Sequence, residues 1–166
     1  MKSIPSLLAA LVAHAIPALA DDKETKSSSD ANLGQVKFTE VVNGAAFDKA
    51  ALEGKVVVIE EWGVNCGPCI ASLPEMAKLA NRYDKKGLVV VGMERQGSSK
   101  EDILKAIKPA RVKYPVMAGG SAPSKGKGIP HALVFGTDGK LVWEGHPADG
   151  EFEDAVKDAL KTVAKK

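Results

Sequence analysis

Two unbroken apolar runs, Val56-Val57-Val58-Ile59 and Leu88-Val89-Val90-Val91-Gly92-Met93, carry no polar alternation and are rich in β-branched residues. Such runs predict strands covered on both faces. Between them residues 69–86 read as a helix, kinked at Pro74 and closed by Gly87. Strand, helix and strand in that order imply a parallel pair joined by a right-handed crossover. Upstream, residues 36–42 read as an N-terminal strand, Asn43-Gly44 as a turn and 45–52 as a short helical connection, with Gly54-Lys55 leading into the central strand. Downstream, Ser98-Ser99-Lys100-Glu101 has the form of a capping box opening a helix that Pro109 limits. Residues 114–118 form a short extended piece, and 119–128 a loop of Gly, Ser, Lys and Pro. From Glu151 onward, acids and bases alternate around Phe152, Val156, Ala159, Leu160 and Val163. That is the pattern of a docked amphipathic helix with a solvated outer face.

The first 33 residues do not share this patterning. Lys2, an apolar segment over 4–19 and Ala18-Leu19-Ala20 ahead of Asp21 read as an export signal cleaved after residue 20. An uncleaved membrane anchor is the alternative, disfavoured because Pro5, His14 and Pro17 interrupt a segment already short for a span; once the signal is cleaved, no stable membrane insertion is expected. Residues 21–33 have the composition of a disordered tether. The rest, 34–166, is one domain by length and can bury a sizeable core. The chain carries 23 basic and 21 acidic side chains. A balance that close gives no reason to expect a nucleic-acid partner.

Chemistry concentrates where the first apolar run ends, in Glu60-Glu61-Trp62-Gly63-Val64-Asn65-Cys66-Gly67-Pro68-Cys69, which holds both cysteines. A Cys-x-x-Cys at a helix start places its first thiol beside unpaired N–H groups and the positive end of the helix dipole, which stabilise a thiolate. Cys66 is therefore the expected nucleophile. Cys69, one turn further in and shielded, is the expected resolving thiol. Pro68 suits a first helical turn. A purely structural bridge is a weaker reading, because closing so short a loop restricts the unfolded chain little. A metal centre would need two more ligands, with His131 and His146 far along the chain.

The stretch Trp62-Gly63-Val64-Asn65-Cys66-Gly67-Pro68-Cys69, with Pro74 five residues on, resembles the active site and kinked first helix of thioredoxin. A second block from Gly128 to Gly145, beginning Gly128-Ile129-Pro130-His131, resembles the cis-proline strand, hairpin and closing strand of that fold. Together they resemble the exported TlpA/ResA-like thiol-disulfide oxidoreductases over about residues 34–166. The resemblance implies an α/β thioredoxin fold: a central mixed sheet flanked by helices, with an N-terminal strand or hairpin extension and a helical approach to the cis-proline. It implies a redox-active Cys66–Cys69 disulfide and no cofactor. It also implies a cis Ile129–Pro130 bond, with the Ile129 backbone free to pair with a substrate strand. Trp62, Gly67, Pro68, Ile129, Pro130 and His131 are the substrate-binding candidates. His131 has two placements open: within reach of the disulfide, where an imidazole would stabilise the Cys66 thiolate, or as an ordinary strand residue.

Three positions depart from that pattern. Asn65 stands where a Trp or another large residue is usual, Ser72 where the ResA-like branch often has a glutamate, and Glu61 where the strand usually has Phe. Glu60, six residues before Cys66, stands at the place of thioredoxin's buried acid and is the expected proton acceptor for Cys69. The reading is an exported reductase of disulfides in extracytoplasmic proteins, kept reduced by a membrane-embedded thiol reductant. Its rivals are a non-catalytic interaction or chaperone-like module and a Cu(I)-handling protein using both cysteines.

Overall fold

The computed structural model describes residues 31–126 and 128–164. The expected export signal and most of the expected tether lie outside the described residues. The last tether residues belong to the fold, since Leu33 is buried and its N–H donates to the Gly139 carbonyl at 2.8 Å.

Six strands form one mixed sheet: β1 Val41–Asn43, β2 Val56–Trp62, β3 Leu88–Glu94, β4 Val116–Ala118, β5 His131–Phe135 and β6 Leu141–Gly145, in the order β1-β4-β3-β2-β5-β6. β2 pairs in parallel with β3, and β3 with β4; β2–β5, β5–β6 and β1–β4 are antiparallel. All seven residues of β2 are buried, as an unbroken apolar run requires. The two covers differ in kind. Val56, Val58 and Trp62 pack with buried residues of the three α-helices among the described residues, α1 Gly67–Tyr83, α2 Lys100–Ile107 and α3 Gly150–Leu160. Val57 and Ile59 point the other way, onto Leu33, Val36 and Leu52 of the N-terminal arm.

That second cover explains why the strand expected over 36–42 shrinks to Val41–Asn43, with one isolated bridge between Lys37 and Ser121. Short 3-10 turns at Leu33–Gln35 and Lys49–Leu52 set Leu33, Val36 and Leu52 flat on the sheet face. Burying those side chains as a lid takes precedence over extending a ladder.

α1 begins at the Cys-x-x-Cys, holds Pro74 inside and runs through a 3-10 turn to Gly87, which takes a left-handed φ of 94°. α2 starts one residue later than the sequence suggests. Ser99 is its cap, accepting from the Asp102 N–H at 3.1 Å, because Ser98 gives its N–H and hydroxyl to buried Glu94 at 3.0 and 2.9 Å. Among the described residues the stretch leading to Pro130 holds no helix, so the helical approach implied by the resemblance is replaced by loop. α3 ends at Leu160, while Val163 packs beyond it against Gly87.

Candidate active site

Cys66 and Cys69 form a disulfide with their Cα atoms 5.2 Å apart. Cys66 is the N-cap of α1, and its sulfur accepts the otherwise unpaired Cys69 N–H at 3.2 Å. Cys66 is half-buried, flanked by exposed Gly67 and Pro68, whereas Cys69 is fully buried. The fold brings the far end of the chain to this point, where the Ile129–Pro130 bond is cis and the Ile129 carbonyl oxygen lies 3.8 Å from Cys66 Sγ. A disulfide sulfur has no proton to donate across that gap. A reduced Cys66 thiol would have one.

Strand alternation sends Glu60 to the helix-covered face, with Val58, Trp62 and Cys69. Its carboxyl is fully buried and accepts a hydrogen bond from the Tyr114 hydroxyl at 2.6 Å through Oε2. The other oxygen, Oε1, is buried without a partner among the described residues, as is the Trp62 indole nitrogen. Loss of hydration pushes the Glu60 pKa up to about 7, against the Tyr114 hydrogen bond, which holds it down. Burial and the neighbouring carboxyl raise the Tyr114 phenol well above its usual range. Trp62 corrects an expectation. It is 0% exposed and cannot touch a substrate, because it ends the fully buried strand rather than beginning the surface loop.

Glu61 points to the opposite face. Its carboxylate lies 3.4 Å from Arg95 Nε, and Arg95 also donates to the Gly120 carbonyl. Burial raises the Glu61 pKa and the adjacent Glu144 adds to that, while Arg95 and His131 oppose it. His131 stands opposite Glu61 in the β2–β5 register, and its Nε2 lies 3.3 Å from Glu144 Oε2. The second placement open to His131 is thus the observed one: its ring is engaged on the face turned away from Cys69. Glu144 also accepts from Ser124 Oγ at 3.3 Å and from the Lys125 N–H at 3.0 Å, tying the loop before Pro130 to the sheet.

Of the departures from the resemblance, Ser72 donates to the Cys69 carbonyl at 2.8 Å and Asn65 is exposed. The Asn65 N–H donates to Gln96 Oε1 at 2.8 Å, and a Cβ on Gly63 would come within 2.4 Å of the Gln96 side chain. Tyr114, Arg95, Gln96 and Glu144 have no functional role that the sequence alone suggests. Only Gly63 hinted at one of them, as a strand-end glycine that marks a close approach.

Over residues 31–160 the sequence matches the Redoxin family. The chain belongs to that family. Thiol-disulfide oxidoreductase ResA of Oceanobacillus iheyensis is 30% identical over 94 residues, 55% of this chain and 49% of that protein. ResA of Bacillus thuringiensis is 26% identical over 124 residues, covering 70% of each chain. The chain thus spans about half the length of the first of these relatives. A thiol:disulfide interchange protein of the thioredoxin family from Chlorobium tepidum superposes with a TM-score of 0.64 at 24% identity, over 75% of this chain and 93% of its own. A thiol-disulfide isomerase from Corynebacterium glutamicum gives 0.65 at 19% identity, over 82% and 99%. These likenesses establish the thioredoxin fold expected from the two sequence blocks. Among the described residues no helix is long and apolar enough to cross a membrane, and no group of three or more His, Cys, Asp or Glu side chains could hold a metal ion.

Proposed function

We propose that the chain is an exported thiol-disulfide oxidoreductase that reduces disulfides of extracytoplasmic proteins through Cys66 and Cys69. The observation that carries this reading is the asymmetry of the pair: a half-buried sulfur receiving an N–H at a helix start, beside a sulfur wholly shielded from solvent. In the reduced protein the Cys66 thiolate attacks one sulfur of a substrate disulfide, forming a mixed disulfide and releasing a substrate thiolate. Cys69 then loses its proton and attacks Cys66 Sγ. The second substrate thiol leaves, and the Cys66–Cys69 disulfide holds the two electrons' worth of oxidation. A membrane-embedded thiol donor returns the pair to the dithiol.

Glu60 is the proton acceptor for Cys69 in this scheme. It shares the helix-covered face with Cys69, and its raised pKa lets it take and release a proton near neutrality. Gly67, Pro68, Ile129 and Pro130 form the substrate contact, where the Ile129 backbone pairs with an extended peptide. Export rests on Lys2, the apolar segment over 4–19 and Ala18-Leu19-Ala20.

Alkylation of the reduced protein near pH 7, followed by peptide mapping, tests the assignment. Cys66 is expected to react and Cys69 to stay protected. Equal labelling of the two thiols refutes the roles, and failure of the reduced protein to reduce insulin refutes the activity.

A further inference from the structure

We propose that Tyr114 is a positioning residue for the thiol chemistry: its hydroxyl holds Glu60 Oε2, so that Oε1 is left as the oxygen that takes and gives the proton. The proposal deepens the reading of Glu60 as acceptor for Cys69 and rests on it.

The geometry is specific to this pair. In the sheet register Glu60 lies between Gly92 of β3 and Ala132 of β5, neither of which offers a polar side chain. Gly92 is the reason a donor can arrive from further away. A Cβ there would stand 3.3 Å from Tyr114 Cε2 and 3.2 Å from Trp62 Nε1, so the missing side chain leaves the space that the phenol ring crosses. Tyr114 is itself clamped by the N-terminal arm. Asn43 Nδ2 donates to the Tyr114 carbonyl at 3.0 Å and to the Val112 carbonyl at 3.3 Å. Gly44, at a φ of 79°, lies so close that a Cβ would meet the Tyr114 carbonyl group at 2.9 Å. A chain of contacts thus runs from β1 through Tyr114 to the buried Glu60 carboxyl.

The titratable groups on this face are few. Among the described residues, besides Glu60 and Tyr114, they are Cys69 on α1, a thiol once reduced, Tyr83 on α1, whose hydroxyl donates to Glu153 at 3.0 Å, and Glu94 at the end of β3, whose carboxyl accepts from Ser98; α2, α3 and β5 bury only apolar side chains here. No cation faces Glu60 among the described residues, so the neutral phenol is the donor that stabilises its ionised form. A hydrogen bond to a charged group in a dry site is among the stronger ones. Removing it while leaving the carboxyl buried raises the carboxyl's pKa further.

The test is Tyr114→Phe, read two ways. The Glu60 carboxyl is titrated in the oxidised protein by carbon-detected NMR, and the pH profile of mixed-disulfide resolution is followed by stopped-flow with the initial attack by Cys66 measured beside it. The Glu60 midpoint is expected to rise by about one pH unit. The acid limb of the resolution rate should rise with it, while attack by Cys66 stays unchanged. Asn43→Ala, which keeps the phenol but frees its backbone, should move both in the same direction by less. An unmoved Glu60 midpoint in Tyr114→Phe overturns the positioning role. If the midpoint moves but Glu60→Gln resolves at the wild-type rate, the base reading fails while the Tyr114–Glu60 coupling stands. Should Tyr114→Phe not fold, the titration of Asn43→Ala decides, and an unchanged midpoint there counts against the proposal.

Discussion

Glu60 and Glu61 are consecutive, chemically identical and nearly inaccessible at 0% and 5% exposure, yet the sheet assigns them opposite surroundings. Glu60 enters the dry, helix-covered face, where among the described residues a neutral phenol is its only hydrogen-bond donor. Glu61 enters the face covered by the N-terminal arm, where the Arg95 guanidinium lies beside it and, with His131, works against the rise in its pKa that burial and Glu144 cause. Burial is similar, and the compensation is not. A carboxyl without a cation is left to titrate near neutrality, which suits proton transfer, whereas at Glu61 a guanidinium offsets part of the rise that burial causes.

The largest effect should come from Glu60→Gln, which removes the titrating group and keeps the shape. It is expected to slow resolution by Cys69 about a hundredfold, in the range typical of a lost general base. Stopped-flow decay of a Cys66 mixed disulfide measures this. A change of less than about twofold would make Glu60 as structural as Glu61.

The next effect is thermodynamic. An acid whose folded pKa of about 7 exceeds its unfolded value of 4.5 stabilises the fold below the unfolded value, and that contribution disappears as pH rises through the folded one. Between pH 5 and pH 8 the oxidised protein should lose about 2 to 3 kcal/mol through Glu60 alone. Urea unfolding at the two pH values should show this loss in the wild type and its removal in Glu60→Gln. The raised pKa of Glu61 adds a contribution of the same sign.

Arg95→Met probes the other face. Because Arg95 is partly exposed, losing its charge should cost about 1 kcal/mol rather than the penalty of a fully buried pair. Part of that loss should return when Glu61→Gln is added, since the buried carboxylate is then gone; strict additivity in the double-mutant cycle would mean that the two side chains do not interact. Glu61→Gln alone should be the mildest change, leaving both thiol steps within about twofold of wild type.

Much of this was legible beforehand. The apolar runs located β2 and β3, the Cys-x-x-Cys located the start of α1, and the resemblance to thioredoxin implied a buried acid at Glu60. What escaped was every contact made across the fold. Tyr114 looked like a residue of a short extended piece, 54 positions from Glu60, and nothing local marks its hydroxyl as a carboxyl partner. Trp62 was misjudged because adjacency to the motif does not say whether a side chain falls on the loop or on the last buried turn of the strand. The capping box slipped by one residue because Glu94, buried at the end of β3, had already taken Ser98.

By itself, the sequence determined the chemistry available and the local framework that presents it: two thiols at a helix start, two acids at the end of a strand, and β-branched runs that must be buried on both faces. Those follow from near-neighbour spacing, because helix caps, side-chain alternation and dihedral preferences act over a few residues. Tertiary structure alone decided which buried acid received a cation and which received a phenol, where the His131 ring turned, and that the N-terminal arm would serve as a lid rather than a strand. Those outcomes depend on desolvation and on donors brought together from distant parts of the chain, and their energies exist only once the sheet has closed over them.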